Sequence, residues 1–209
     1  TLETGYKAIT RFTNADFQSL WKINNEYVKN TLASNIFNFQ EQIHAAYLQY
    51  RSYIGSNIDS AKWKYDIGLR VEQVFNQGKG ETNNLFVKRR YFNYYPTANI
   101  AYFITRSDFL KLSFSRRINR PSLGQLNPFT DITDSLNQHS GNPYLKPELI
   151  NALEAGYNKE WKKVSFYTNV FYRYATNIIR PYISLNNNGV ALTQPMNFGN
   201  ATTCVGVEI

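Results

Sequence analysis

Little in this chain serves covalent or metal chemistry: its 209 residues include one cysteine, one methionine and two histidines. Cys204 has no partner for an intrachain disulfide, so cysteine usage leaves the redox compartment open. His44 and His139 stand in no spacing with cysteine or carboxylate that would hold a metal. No nucleophile elbow, phosphate loop or histidine-centred triad occurs, so the chain is not expected to be an enzyme or to carry a cofactor. No apolar run approaches the roughly 18 residues of a membrane-crossing helix, and mean hydropathy is -0.46. This excludes helical spans but not strands, because only every second residue of a transmembrane strand meets lipid. No basic-then-apolar leader opens the chain, and both ends fall inside strand-like patterns, so a piece of a longer protein is expected.

The net charge of +8 raises the possibility of nucleic acid, yet Lys88-Arg89-Arg90 is the only dense basic run. The other basic residues mostly alternate with apolar ones, as on the polar face of a sheet. What is abundant is aromatic: 16 Tyr and 14 Phe make a strand-forming composition.

Strand patterns recur along the chain. Leu2, Thr4, Tyr6, Ala8, Thr10 and Phe12 alternate with Glu3, Gly5, Lys7, Ile9 and Arg11, and a period of two puts these sets on opposite faces. From Trp63 to Phe75 the pattern is cleanest. Trp63, Tyr65, Ile67, Leu69 and Val71 share one face, and Lys64, Asp66, Gly68, Arg70 and Glu72 the other. Phe37, Phe39, Glu41, Ile43, Ala45 and Tyr47 form a third apolar row, in which Glu41 is expected near the membrane boundary, where a charge costs little. Further strands are expected at 93–104, 109–118, 149–158, 164–175 and 201–209, giving about eight in all. The row 164–175 is apolar on both faces and its orientation stays open. Long connections at 14–35, 76–92, 119–148 and 176–200 alternate with shorter ones at 51–62, 105–108 and 159–163. That asymmetry belongs to outer-membrane barrels, with long loops outside, short turns in the periplasm, and Trp63 and Trp161 at the periplasmic boundary.

Two alternatives fit part of this pattern. A complete eight-stranded barrel with a structural or adhesive role requires closure between the first and last strands. A soluble all-β binding domain would bury the aromatic rows in a sandwich core, but long connections are uncommon in compact domains.

Two motifs are more specific. Arg117-Ile-Asn-Arg-Pro-Ser-Leu-Gly-Gln-Leu-Asn-Pro-Phe129 is followed by Gly141-Asn-Pro-Tyr-Leu-Lys-Pro-Glu148, and prolines 121, 128, 143 and 147 are expected to forbid a regular strand or helix there and to fix extended or turn geometry in a long, structured loop. This pairing resembles the strand, loop and strand signature of TonB-dependent outer-membrane receptors. Phe37-x-Phe-x-Glu-x-Ile-x-Ala45, Gly68-Leu-Arg-Val-Glu72, Pro96 and Gly206-Val-Glu-Ile209 resemble the outer membrane β-barrel branch of that family, common in Bacteroidetes-type bacteria. The resemblance implies an all-β, antiparallel, up-and-down transmembrane segment. Residues 1–209 would form part of a barrel of about 22 strands, the plug domain and remaining strands lying elsewhere in the parent chain. It also implies energised uptake of a scarce nutrient of the siderophore, vitamin or glycan class, with outer-membrane lipid, the plug, TonB and the nutrient as partners.

Candidate contacts to such a ligand, or to the loop itself, are Arg117, Asn119, Arg120, Asp131, Asp134 and Tyr144. Lys64, Asp66, Arg70 and Glu72 alternate in sign and are expected to pair across strands or with the plug inside the lumen.

Overall fold

The computed structural model describes residues 1–31, 33–81, 85–185 and 189–209. The strands are β1 (Leu2–Phe17), β2 (Leu20–Ile23), β3 (Glu26–Lys29), β4 (Asn35–Ile54), β5 (Trp63–Gly80), β6 (Leu85–Thr105) and β7 (Asp108–Asn119). One helical turn, α1 (Leu123–Leu126), then precedes β8 (Thr130–Asp131), β9 (Asn137–Ser140), β10 (Glu148–Glu160), β11 (Ser165–Thr176), β12 (Ile178–Leu185), β13 (Ala191–Phe198) and β14 (Thr202–Glu208). Eight strands form one sheet in the order β1-β4-β5-β6-β7-β10-β11-β14, antiparallel throughout. The eight segments expected from the sequence are these strands. β1 and β14 are not neighbours, so the closure required of a complete eight-stranded barrel is absent among the described residues.

Register assigns the faces, because residues opposite one another in antiparallel strands project to the same side. Leu69 faces Leu48 on β4 and Pro96 on β6, while Glu72 faces Ala45 and Asn93. Leu69 is 46% exposed and Glu72 only 4%. The sheet is thus inside-out relative to a soluble domain, with its aliphatic row bare and its carboxylate covered. A soluble sandwich core is ruled out by this arrangement, whereas lipid accounts for it. The open row 164–175 resolves the same way: Val170 and Tyr172 face Ala155 and Leu153, on the outer side.

Along the outer face, rings gather near the short turns, where Trp63 meets Tyr102 at 4.7 Å, Tyr50 meets Tyr65 at 6.1 Å and Tyr157 meets Phe166 at 6.2 Å. Such rings suit a membrane boundary, having an apolar body with, in Tyr and Trp, a polar tip. Farther along β5 the outer residues become aliphatic, at Ile67, Leu69 and Val71, and beyond Phe92 on β6 the next two outward residues are Arg90 and Lys88.

Three expectations are corrected. Phe37, Phe39, Glu41, Ile43, Ala45 and Tyr47 lie on the inner face, since Glu41 is opposite Arg11 and Ala45 opposite Glu72. Glu41 is therefore not a boundary carboxylate on the lipid side. The row is apolar because residues 120–147 fold over its upper part, burying Phe37 with Val87, Leu126 and Leu145. Most of the expected loop 76–92 is paired strand, from Asn76 opposite Arg89 to Gly80 opposite Leu85; its tip, 82–84, lies outside the described residues. Outer-face Gln73, Gln77 and Lys79 show why hydropathy misled: β5 continues beyond the apolar band for roughly 25 Å along its axis. The expected loop 14–35 likewise holds the end of β1 and the β2-β3 hairpin.

Candidate functional site

After Asn119 the chain turns inward at Pro121, and Ser122 starts α1 with a capping box: its hydroxyl accepts from the Gln125 amide, and the Gln125 side chain accepts from the Ser122 amide. The expectation that the four prolines forbid helix and strand is corrected, since the segment between them holds one helical turn and the short strands β8 and β9. This crossing brings Arg120 over the inner face. Its guanidinium pairs with Glu72 on β5 and lies 3.8 Å from Glu41 on β4. Arg11 on β1 meets Glu41 at 3.0 Å, and Arg70 meets Glu72 at 2.6 Å. Both carboxylates are buried, so each needs these cations to offset lost hydration.

The second motif is fastened from both sides. The Gly141 amide donates to the Asn127 carbonyl at 2.9 Å and the Asn142 amide to the Gln125 carbonyl at 2.7 Å. A Cβ at Gly141 would stand 2.3 Å from the Asn127 oxygen, an approach only glycine permits. Arg89 on β6 donates to the Leu145 carbonyl at 3.0 Å. From β13, Asn197 accepts from the Lys146 amide at 2.7 Å and donates to its carbonyl at 2.9 Å. Glu148 accepts from Asn119 and from the Ile179 amide, both at 2.7 Å.

Between this folded segment and the sheet lies a cavity of about 330 Å³. Phe37, Phe39, Val87, Leu126 and Leu145 supply apolar wall, and Arg11, Glu41, Arg89 and Arg120 line it as well. Such a lining suits a small group with an apolar body and an anionic end.

The sequence candidates separate by position. Asn119 and Arg120 are joined to the sheet and to Glu148 as described. Asp131 accepts from the amide and hydroxyl of Thr133 at 2.9 and 2.7 Å, and Asp134 from the amides of Leu136 and Asn137 at 2.9 and 3.1 Å. These bonds hold both carboxyls below the usual carboxylate range, chiefly through the amides of Thr133 and Leu136 respectively. Arg117 and Tyr144 are exposed, and among the described residues their side chains make no hydrogen bond or ion pair. On the inner face below, Asp66 pairs with Arg51 at 3.2 Å, and the Lys64 ammonium lies 4.7 Å from the Phe103 ring centre. Sequence reasoning missed Arg11, Arg89 and Asn197 and misplaced Glu41, because cross-strand register carries these contacts and no local spacing does.

The model of the outer membrane protein beta-barrel family matches residues 1–208. No curated protein matches the chain. Among solved structures, a double mutant of the Serratia marcescens hemophore receptor HasR, in complex with its hemophore HasA and heme, superposes with a TM-score of 0.66 at 13% identity. The copper transporter OprC gives 0.68 at 13%, and the siderophore receptor PirA from Pseudomonas aeruginosa 0.53 at 11%. The superpositions cover 98%, 99% and 97% of this chain but only 39%, 32% and 46% of HasR, OprC and PirA respectively. At these identities the likeness is one of fold.

Proposed function

Because the chain belongs to the outer membrane protein β-barrel family and so resides in the bacterial outer membrane, we propose that it is the wall and loop portion of a TonB-dependent receptor. In this reading, residues 1–209 are one part of a larger barrel, and the parent chain supplies the plug, the TonB contact and the remaining strands. The cargo is a scarce nutrient of the siderophore, vitamin or glycan class, and the chain performs no catalysis.

One observation carries the reading. A lipid-facing sheet with two unpaired edges holds the folded segment 120–147 against its inner side through Arg120, Glu72 and Glu41. A wall that braces its own loop inward narrows a lumen, as a gated importer needs and a simple adhesive barrel does not. Likeness in fold to the hemophore receptor HasR, the siderophore receptor PirA and the copper transporter OprC supports the same direction. Within this proposal Arg117 and Tyr144 contact ligand. Asn119, Arg120, Asp131 and Asp134 shape the loop, and Lys64, Asp66, Arg70 and Glu72 pair within the wall or with the plug.

The test uses the parent receptor in cells lacking their own uptake systems. Growth on a limiting nutrient should depend on the parent and vanish when TonB is deleted. Uptake of equal rate without TonB would reduce the protein to a passive pore and sink the proposal.

A further inference from the structure

Strand β6 outruns one of its two neighbours. It pairs with β5 from Tyr102 up to Leu85, but with β7 only from Thr105 to Thr97. The next pairing with β7 would set Pro96 opposite Arg116, and proline has no N–H to give. The chain then turns inward after Asn119 and returns only at Glu148, opposite that same residue, so the place beside the upper part of β6 holds no strand.

Register fixes which backbone groups face that place. The Phe103 amide donates to the Lys62 carbonyl at 2.8 Å, and antiparallel bonds to one neighbour recur at every second residue. Val87, Arg89 and Tyr91 therefore bond toward β5. The N–H and C=O of Phe86, Lys88, Arg90 and Phe92 face the empty side, and among the described residues no hydrogen bond reaches them there. Their side chains share the outer face, because Arg89 points inward to the Leu145 carbonyl and its neighbours point the other way. Phe86 and Phe92 are 57% and 60% exposed. Among the described residues neither Lys88 nor Arg90 forms an ion pair. Lys79, opposite Phe86, adds a third cation on this side.

We propose that this edge accepts, as an added strand, an extended acidic segment of an extracellular protein. Backbone bonds to β6 supply affinity, and side chains two positions apart supply selectivity. A segment with two acidic residues two positions apart, flanked at the same spacing by apolar ones, sets its carboxylates beside Lys88 and Arg90 and its apolar ends beside Phe86 and Phe92. A second copy of this chain is a poor occupant, because the edge matched with itself in register sets cation against cation. The inference depends on the long connections facing outward and is independent of TonB and of any cargo.

The parent barrel in nonionic detergent would be titrated with a fluorescent peptide, Val-Thr-Glu-Thr-Glu-Thr-Val, with the same peptide carrying Lys for Glu, and with a version N-methylated at every residue. Binding is read by fluorescence anisotropy. The expected result is saturable binding of the acidic peptide, weakened about tenfold or more by either change, with preference reversed toward the basic peptide in Lys88→Glu/Arg90→Glu. Bound peptide should also slow hydrogen exchange at the Lys88 and Arg90 amides and leave Arg89, already bonded to β5, unchanged. Absence of binding, or equal binding of the N-methylated peptide, overturns strand addition. Equal binding of the basic peptide overturns the assignment to an acidic partner. Protection of the Lys88 and Arg90 amides that needs no peptide and rises with barrel concentration overturns it in favour of a second copy. Should the double variant fail to fold, the three peptides on the unaltered protein still decide.

Discussion

Arg120 answers carboxylates carried by two different strands, Glu72 on β5 and Glu41 on β4. Replacing it with Met leaves two buried carboxylates short of a partner, and a loss of about 3 kcal/mol is expected, read by urea unfolding of the parent barrel in lipid vesicles. Combining Arg120→Met with Glu72→Gln should cost less than the sum of the two, since each removes the same contact. Gly141 makes a different kind of contribution, because an added methyl meets the Asn127, Gln125 and Gly124 carbonyls rather than a yielding side chain. Gly141→Ala should cost about 1–3 kcal/mol and expose residues 120–147 to limited proteolysis; unchanged cleavage would contradict the packing described.

Among the elements, β5 serves two environments. Its lower outer row meets lipid and its upper outer row meets water. Leu69→Arg should therefore destabilise by about 2–4 kcal/mol, whereas Gln77→Arg should change stability by less than about 1 kcal/mol. Unfolding titrations in vesicles distinguish them, and equal penalties would mean that the strand does not leave the membrane where its outer residues turn polar. The segment holding Asp131 and Asp134 carries a pH dependence. Both carboxyls titrate below their unfolded value of about 4 in the folded loop. The local stability they add is complete above that value and is lost as pH falls through the lowered folded values. Hydrogen-exchange protection factors, corrected for the intrinsic slowing of exchange in acid, should hold steady near pH 6 at Thr133, Leu136 and Asn137 and fall as the carboxyls protonate, and Asp134→Asn should flatten the response at Leu136 and Asn137.

As a whole molecule, the sheet exposes two edges, the outer sides of β1 and β14, and a broad apolar surface. Produced alone, residues 1–209 should associate in buffer, as unpaired edges and bare aliphatic rows recruit further strands. Size-exclusion chromatography showing a stable monomer without detergent would contradict this. Strand number and the lipid-facing rows of β1 and β5 followed from the period of two in the residues, because alternation is a property of local backbone geometry that any single strand displays, whereas the up-and-down order came with the family resemblance. The inner position of Phe37 and Glu41, the division of Lys88 from Arg89, and the union of Arg120 with Glu72 did not follow. Those depend on cross-strand register and on a proline-rich segment folding back over the sheet, and neither is set by residues adjacent in the chain.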